Sequence, residues 1–392
     1  MTNPEHDPLF ETLYARGVSA SARDLGVAPS TIRVWRCRGE IPERYLPAIL
    51  AMEAGQEDTP PVPVDSIPAG HVLTGVSTLH GPDGSISAQW TKTRAVVPEG
   101  EGIIRAFESL DRRIAPREGM IPCPWTPGED DLLAVYPMGD PHVGMLAWGP
   151  ETGADFDLAI AERLMVGAMR DLVLRGPRAR RALIGNLGDY FHADNVHFHT
   201  TNSAHTLDMD GRWGKVLDVG LRVFTSLVDA ALEHHERVDV LSKIGNHDSF
   251  ASLMLARCLR AFYRNEPRVH VDCDSAHRSY FEFGKVLIGM THGDQCKPKD
   301  LGPVMAGERP EMWGRTRHRY WMIGHVHHER VTELPGVRVE SFRTLAGRDA
   351  WHAAKGYLAG RDMQRITMHR DHGEVAREIA SVGYLQAQAG AA

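Results

Sequence analysis

The chain has no apolar stretch approaching the ~20 residues that cross a bilayer, so no membrane partner is expected. Residues 1–8 carry Glu5 and Asp7 and lack the basic-then-apolar pattern of a secretory leader. Cysteine is scarce. The five present, Cys37, Cys123, Cys258, Cys273 and Cys296, are odd in number and never spaced CxxC, which argues against a disulfide framework and a zinc ribbon. The cytoplasm is therefore the expected compartment. Basic charge is not in excess either. Lys and Arg total 44 against 51 Asp and Glu, and the net charge of −7 excludes a uniformly basic nucleic-acid coat, though not a local basic face. With 42% hydrophobic and 24% charged residues, the chain is expected to fold over most of its length. What it has in abundance is histidine, 21 in all, many of them after Asp140.

At ~100–200 residues per domain, 392 residues suggest two or three domains. Residues 1–52 read as short helices. Leu9, Phe10, Leu13 and Tyr14 share a helical face, Ala20 to Leu25 makes a second helix, and Gly26-Val27 is a turn. Pro29 then opens a third helix that runs to Arg38 and stops at Gly39. Residues 53–130 read as a linker with an accessory segment. Pro60, Pro61, Pro63 and Pro68 keep its start extended, a β-hairpin is expected over 72–92 around Gly81-Pro82-Asp83-Gly84, and another helix over 101–113. From 131 to 392, short apolar runs alternate with amphipathic stretches at 157–174 and 216–235, and further strands are expected at 337–342, 364–369 and 374–379. That alternation predicts a layered α/β fold.

Five of the apolar runs end in a polar cluster. The clusters are Asp140-Pro141-His142, Gly188-Asp189, Gly245-Asn246-His247-Asp248, His292-Gly293 and Gly324-His325-Val326-His327. Each offers Asp, Asn or His, side chains that bind divalent cations. Spacing i, i+2 at a strand end is expected to put Asp140 and His142 on one side, and likewise His325 and His327. The adjoining glycines allow tight turns beside such a site.

In this order, the five blocks resemble the calcineurin-like metallophosphoesterases, whose pattern is DxH, GD, GNH(D/E), a lone His and GHxH. The resemblance covers about the last two-thirds of the chain and implies a four-layer α/β/β/α sandwich. It also implies two divalent metal ions, Mn²⁺ first, with Fe²⁺ or Zn²⁺ as alternatives. One would be held by Asp140, His142 and His327, the other by Asn246, His292 and His325, with Asp189 bridging them. A hydroxide shared by the two ions would attack phosphorus in line. His247 is expected to give a proton to the leaving oxygen, with Asp248 orienting its ring. Gly188-Asp189-Tyr190-Phe191-His192 is similar to the GDxxH form of the DNA double-strand-break repair nucleases, where that histidine helps at the active site, which makes His192 a further catalytic candidate, acting only from behind the ligands. The inserts at 193–213, with His197, His199 and His205, and at 295–316, with Lys297, Lys299, Arg309 and Arg315, could form a substrate wall or lid. His352, near Asp349 and Trp351, is a polar cluster with no family role.

Residues 25–32 resemble the turn and recognition-helix start of a helix-turn-helix module, followed by Arg33, Trp35, Arg36 and Arg38. Arginines there could reach phosphates and base edges. The whole assembly resembles phosphoesterases of phages and prophages. The expectation is a two-metal phosphodiesterase acting on DNA as an exo- or endonuclease, with Arg33, Arg36, Arg38, Lys297 and Lys299 as nucleic-acid contacts and room for a homodimer. Two alternatives stand beside it: a phosphatase or small-nucleotide phosphodiesterase, and a DNA-binding regulator or packaging adaptor with secondary hydrolase activity.

Overall fold

The computed structural model describes residues 13–14, 18–38, 41–54, 71–80, 86–95, 114–119, 121, 129–195, 197–200 and 206–391. The chain divides into two compact units, Met1–Glu99 and Gly100–Ala392. In the first, helices Val18–Asp24, Pro29–Arg38 and Leu46–Ala54 precede an antiparallel pair, β1 (His71–His80) and β2 (Ile86–Ala95). The small helical core is Leu13, Ala22, Ile32, Trp35 and Ile49. Trp35 is buried there with its ring 4.8 Å from Tyr45, so it anchors the core and does not face a ligand. Arg33 is exposed, while the side chains of Arg36 and Arg38 lie outside the described residues. The expected hairpin turn at 81–84, the helix over 101–113 and His205 also lie outside them.

The second unit holds two sheets. The six-stranded sheet runs β13-β12-β3-β4-β5-β6, from β3 (Glu129–Met138), β4 (Ala179–Asn186), β5 (Arg237–Ser242), β6 (Val269–Asp272), β12 (Asp362–His369) and β13 (Gly373–Ser381). Strands β3 to β6 are parallel, and β12 and β13 are added antiparallel. The five-stranded sheet runs β10-β11-β9-β8-β7, from β7 (Ser279–Phe283), β8 (Val286–Thr291), β9 (His318–Ile323), β10 (Arg330–Leu334) and β11 (Val337–Ser341), with β8, β9 and β11 parallel.

Side-chain alternation along each strand assigns the layers. On β3, Leu133 and Val135 point into an apolar layer shared with Ile288, Met290 and Met322 of the other sheet. Ala134 and Tyr136 point the other way, against helices Leu158–Arg175, Trp213–Leu232 and Ala251–Phe262. Behind the second sheet, Leu301 and Met305 of helix Leu301–Glu308 cover Leu287, Trp321 and Val339. The sequence of layers is helix, sheet, sheet, helix.

The 295–316 insert is therefore corrected. It is largely outer helical layer and not a loop or lid, since Leu301 and Met305, four apart, are both fully buried and Trp321 Nε1 donates to the Leu301 carbonyl at 2.8 Å. Residues 114–119 and 121 are tied to the second unit as well. Arg117 N donates to Phe262 O at 2.7 Å, and Arg268 donates to Ile121 O at 3.0 Å. Among the described residues no helix is long and apolar enough to cross a membrane.

Candidate metal centre

The five polar clusters all follow the carboxyl ends of parallel strands: β3, β4 and β5 in one sheet, β8 and β9 in the other. Ligand sites in open α/β sheets gather at such ends. The local backbone is not extended, however. Among the described residues, six that are not glycine have positive φ: Asp140 (47°), His142 (45°), Asp189 (50°), Phe198 (55°), His325 (70°) and His327 (54°). Five of these six are expected metal ligands. A left-handed backbone costs a residue with a Cβ ~1–3 kcal/mol and persists only where the surroundings impose it. The i, i+2 pairs thus converge because each residue turns through a left-handed step, not by alternation along a strand as the spacing predicted. Glycines make room for this. A Cβ on Gly245 would lie 2.0 Å from Asp189 Oδ1, and one on Gly324 2.8 Å from Asp140 Oδ2.

Three metal-competent groups result among the described residues, one of them His142, His192 and His247, and the other two hold the expected ligands. Asp140, His142 and His327 offer one close group, and Asp189, His292 and His325 another, each with ligand atoms within 4.8 Å of one another. Asn246 joins the second set through Oδ1, 2.9 Å from His292 Nε2. The proton count tests whether these groups fit cations. His292 Nδ1 donates to the Leu187 carbonyl at 3.0 Å, so Nε2 of the neutral ring carries no hydrogen. That nitrogen nevertheless faces Asn246 Oδ1 and, at 3.3 Å, Asp189 Oδ2. Three acceptors converge with nothing between them unless a positive charge is supplied. Burial pulls the His292 pKa down, yet the Asp189 and Asp140 carboxylates outweigh it and hold it at about 10. A place that favours a proton so strongly favours any cation. Burial likewise disfavours ionisation of Asp189, but His292 and His247 overcome it and keep its carboxyl well below the usual range.

The first set behaves in the same way. His142 Nε2 faces His327 Nε2 at 3.1 Å, and His327 Nε2 lies 3.6 Å from Asp140 Oδ1. Burial and the neighbouring histidines keep His142 neutral, its pKa far below the ordinary value. Burial opposes protonation of His327 too, but Asp140 overrides it and raises that pKa. Both Asp140 oxygens accept from His325 N at 2.9 Å, which fixes the carboxylate. Donor type and number in the two groups fit divalent cations.

His247 donates its backbone N–H to Asp189 Oδ1 at 2.8 Å, and its Nδ1–H goes to the His192 carbonyl, also at 2.8 Å. Nε2 is left as its working nitrogen. The role expected for Asp248 is corrected, because it does not orient the His247 ring. It is fully buried and accepts from the backbone N–H groups of Asp189 (3.1 Å), Phe191 (3.0 Å) and Gly245 (3.0 Å) and from Ser252 Oγ (2.5 Å), joining the loops after β4 and β5. Burial and the nearby Asp189 push its pKa up to about 7. His192 stands behind the donor groups, as expected of a residue that acts through a ligand. It is 1% exposed, its Nδ1 meets His142 Nδ1 at 3.1 Å, and its ring stacks on His247 at 5.4 Å. Burial and His247 lower its pKa to about 3, so a neutral His192 holds the far nitrogen of a candidate ligand, as outer partners of metal sites do.

The centre opens into a cavity of about 510 Å³ whose walls include Asp189, Asn246, His247, His325, His327, Thr200, Thr206 and Leu207. The 193–213 insert thus contributes a wall through its later residues. His199 pairs with Thr206 across a β-bridge, and neither His197 nor His199 joins a metal-competent group among the described residues. Lys297 and Lys299 are exposed on the turn before helix Leu301–Glu308 and do not line this cavity. The sequence left His352 without a role, and here it stands beside the centre. Its ring stacks on His327 at 5.0 Å and its Nδ1 meets Asp349 Oδ1 at 2.7 Å. Asp349 three positions before His352, at a helix N-cap, was the available signal.

Comparison with known proteins gives similarity of shape only. No family model matches the chain, and no curated protein matches it. Solved structures similar to it include a predicted phosphoesterase from Streptococcus pneumoniae, at 12% identity over 64% of this chain and 98% of that one, TM-score 0.26. Vps29 from Entamoeba histolytica, a structure complexed with zinc, matches at 13% identity over 63% and 98%, TM-score 0.27. An archaeal phosphodiesterase matches at 12% over 64% and 99%, TM-score 0.31. What the centre of this chain can do follows from its own side chains.

Proposed function

We propose that the chain is a metal-dependent phosphodiesterase that hydrolyses DNA. The observation that carries the hydrolase reading is the pair of donor groups Asp140, His142, His327 and Asp189, His292, His325, five of whose six members are held in a left-handed backbone. Divalent cations bound there, Mn²⁺ foremost and Fe²⁺ or Zn²⁺ as alternatives, would supply a water of lowered pKa and neutralise phosphoryl oxygens. The protein supplies the rest. Asp140 and Asp189 provide the negative charge that binds cations, and His292 and His142 offer nitrogens whose far sides are held by Leu187 O and His192. His247, its Nδ1–H held by the His192 carbonyl, lines the cavity, and its imidazolium form would give the Nε2 proton to the leaving oxygen.

The choice of DNA is supported by the GDxxH form, whose His192 touches the centre through His142, and by the helix pair with exposed Arg33 in the first unit. Tethering by such a module raises the local concentration of substrate. One observation favours a second reading. No lysine or arginine lines the cavity among the described residues, which suits a small phosphodiester better than a long polyanion. Purified protein with Mn²⁺, challenged with single- and double-stranded DNA and with bis-p-nitrophenyl phosphate, separates the two. Cleavage of DNA supports the nuclease. Cleavage of the small diester alone, at micromolar enzyme, rejects DNA and keeps the hydrolase.

A further inference from the structure

Beyond the metal centre, the cavity wall carries two aromatic side chains that no step above uses. Trp351 is 55% exposed and Tyr357 45% exposed, and both line the same 510 Å³ cavity as Asp189, Asn246 and His327. Large aromatic rings left half in water are uncommon without a purpose when they stand together. These two stack on each other, with ring centres 5.8 Å apart and planes 23° from parallel.

Their placement is built. Asp349 caps helix Ala350–Ala354, accepting from His352 N at 2.7 Å, and Tyr357 N donates to His352 O at 3.1 Å. Arg348 donates to Tyr357 O at 3.1 Å and to Thr152 O at 2.7 Å, which ties the segment to the body of the unit. The His352 ring touches Trp351 (5.0 Å, 84°) and Tyr357 (5.4 Å, 67°) and stacks on His327 (5.0 Å, 20°). A continuous chain of rings therefore leads from a candidate metal ligand to the exposed pair.

From this juxtaposition we propose that Trp351 and Tyr357 form a stacking platform for an unpaired nucleobase of the nucleotide whose phosphate lies at the metal centre. The inference rests on the phosphodiesterase reading, which brings a phosphate to that centre, and it narrows the substrate to single-stranded nucleic acid. Three features point to a base. The surface is flat and aromatic, as stacking requires, and is sequence-tolerant because every base has a π face. The cavity volume lies in the range of small-ligand sites, wide enough for a nucleotide. The lining lacks lysine and arginine among its described residues, so affinity beyond the phosphate must come from contact with the base. A duplex keeps its base faces inside and gains nothing from such a platform.

The test is calorimetric titration of the full chain in Mn²⁺ with a short phosphorothioate oligothymidylate, which resists hydrolysis, and with its abasic counterpart. The wild type is expected to bind the base-containing ligand roughly tenfold tighter, the scale of one stacked base. Trp351→Ala should collapse that ratio towards one, Tyr357→Ala should reduce it, and Trp351→Phe, which keeps a ring, should restore most of it. Equal affinity of the wild type for the two ligands, binding of neither, or a ratio unchanged in Trp351→Ala overturns the platform. Cleavage of the ordinary oligonucleotides, followed separately, reports on the chemistry. A chain with the expected ratio that cleaves no diester keeps the platform and loses the hydrolase, whereas equal cleavage of normal and abasic strands in every variant does the reverse.

Discussion

Asp189 combines three constraints on one residue: a φ of 50°, a carboxylate grouped with His292 and His325, and a glycine neighbour, Gly245, whose place no larger residue can take. Replacing it with Asn keeps the shape and removes the charge. Asp189→Asn is expected to lower bound metal below two per chain and abolish turnover, read by elemental analysis and by hydrolysis of bis-p-nitrophenyl phosphate. His247→Ala should differ from this. It should keep both metals and cut turnover by ~10²–10⁴-fold, the usual loss of a general acid. Metal loss in that variant would refute a proton-donor role. Asp248 gives a third pattern. Three buried backbone N–H groups depend on its carboxylate, and each costs ~1–3 kcal/mol when left unmade. Asp248→Ala should therefore shift the urea midpoint sharply downward, where a mere ring-orienter would lower turnover and leave stability intact. At this scale the residues that come together were legible, because Asp, Asn and His recur in five ordered blocks after apolar runs. The backbone that aims them was not. Positive φ at His142 or His325 is imposed by surroundings distant in sequence, and no residue type announces it.

The elements follow from period and length. Strands β3, β4, β5, β8 and β9 stand out because each is a buried apolar run, and their carboxyl ends deliver the five clusters. The helices at 158–175 and 213–232 show an apolar stripe that faces the first sheet. Helix Ala251–Phe262 has no counterpart among the expected elements, although Ala251, Leu255 and Leu259 recur every four residues and are buried. The four-residue β6, in which only Val271 is buried, carries too little pattern to be seen.

One element junction carries a pH dependence. His235, just after helix Trp213–Leu232, donates from Nδ1 to Ala179 O at 2.7 Å and accepts the Tyr136 hydroxyl at Nε2, 2.9 Å away. Burial holds it neutral, with its pKa lowered from 6.5 to about 3. The unfolded chain takes up that proton near pH 6.5 and the folded chain only near 3. The part of stability that comes from this ring is therefore fully present above 6.5 and is lost progressively as pH drops towards 3. In urea titrations at pH 7.5 and 5, His235→Phe should show a smaller difference between the two pH values than wild type, whatever its absolute stability. An equal difference would mean the ring is not held neutral.

At the scale of the whole molecule, the two units make separable claims. A chain beginning at Gly100 contains every candidate ligand, the cavity, and Arg117 and Ile121, bonded to Phe262 and Arg268. It is expected to hydrolyse bis-p-nitrophenyl phosphate within about twofold of the full chain, since a compact unit with its own core folds alone. If the first unit binds DNA, the same truncation should weaken DNA cleavage at dilute substrate; equal loss on both substrates would show instead that the first unit supports the fold of the second. The central claim concerns the pair of cations, and anomalous diffraction from crystals soaked in Mn²⁺ tests it most directly. Two peaks are predicted, about 3.5–4 Å apart, one against Asp140, His142 and His327, the other against Asn246, His292 and His325, with the Asp189 carboxylate between them. A single peak, or peaks that leave Asp189 uncoordinated, would contradict the account.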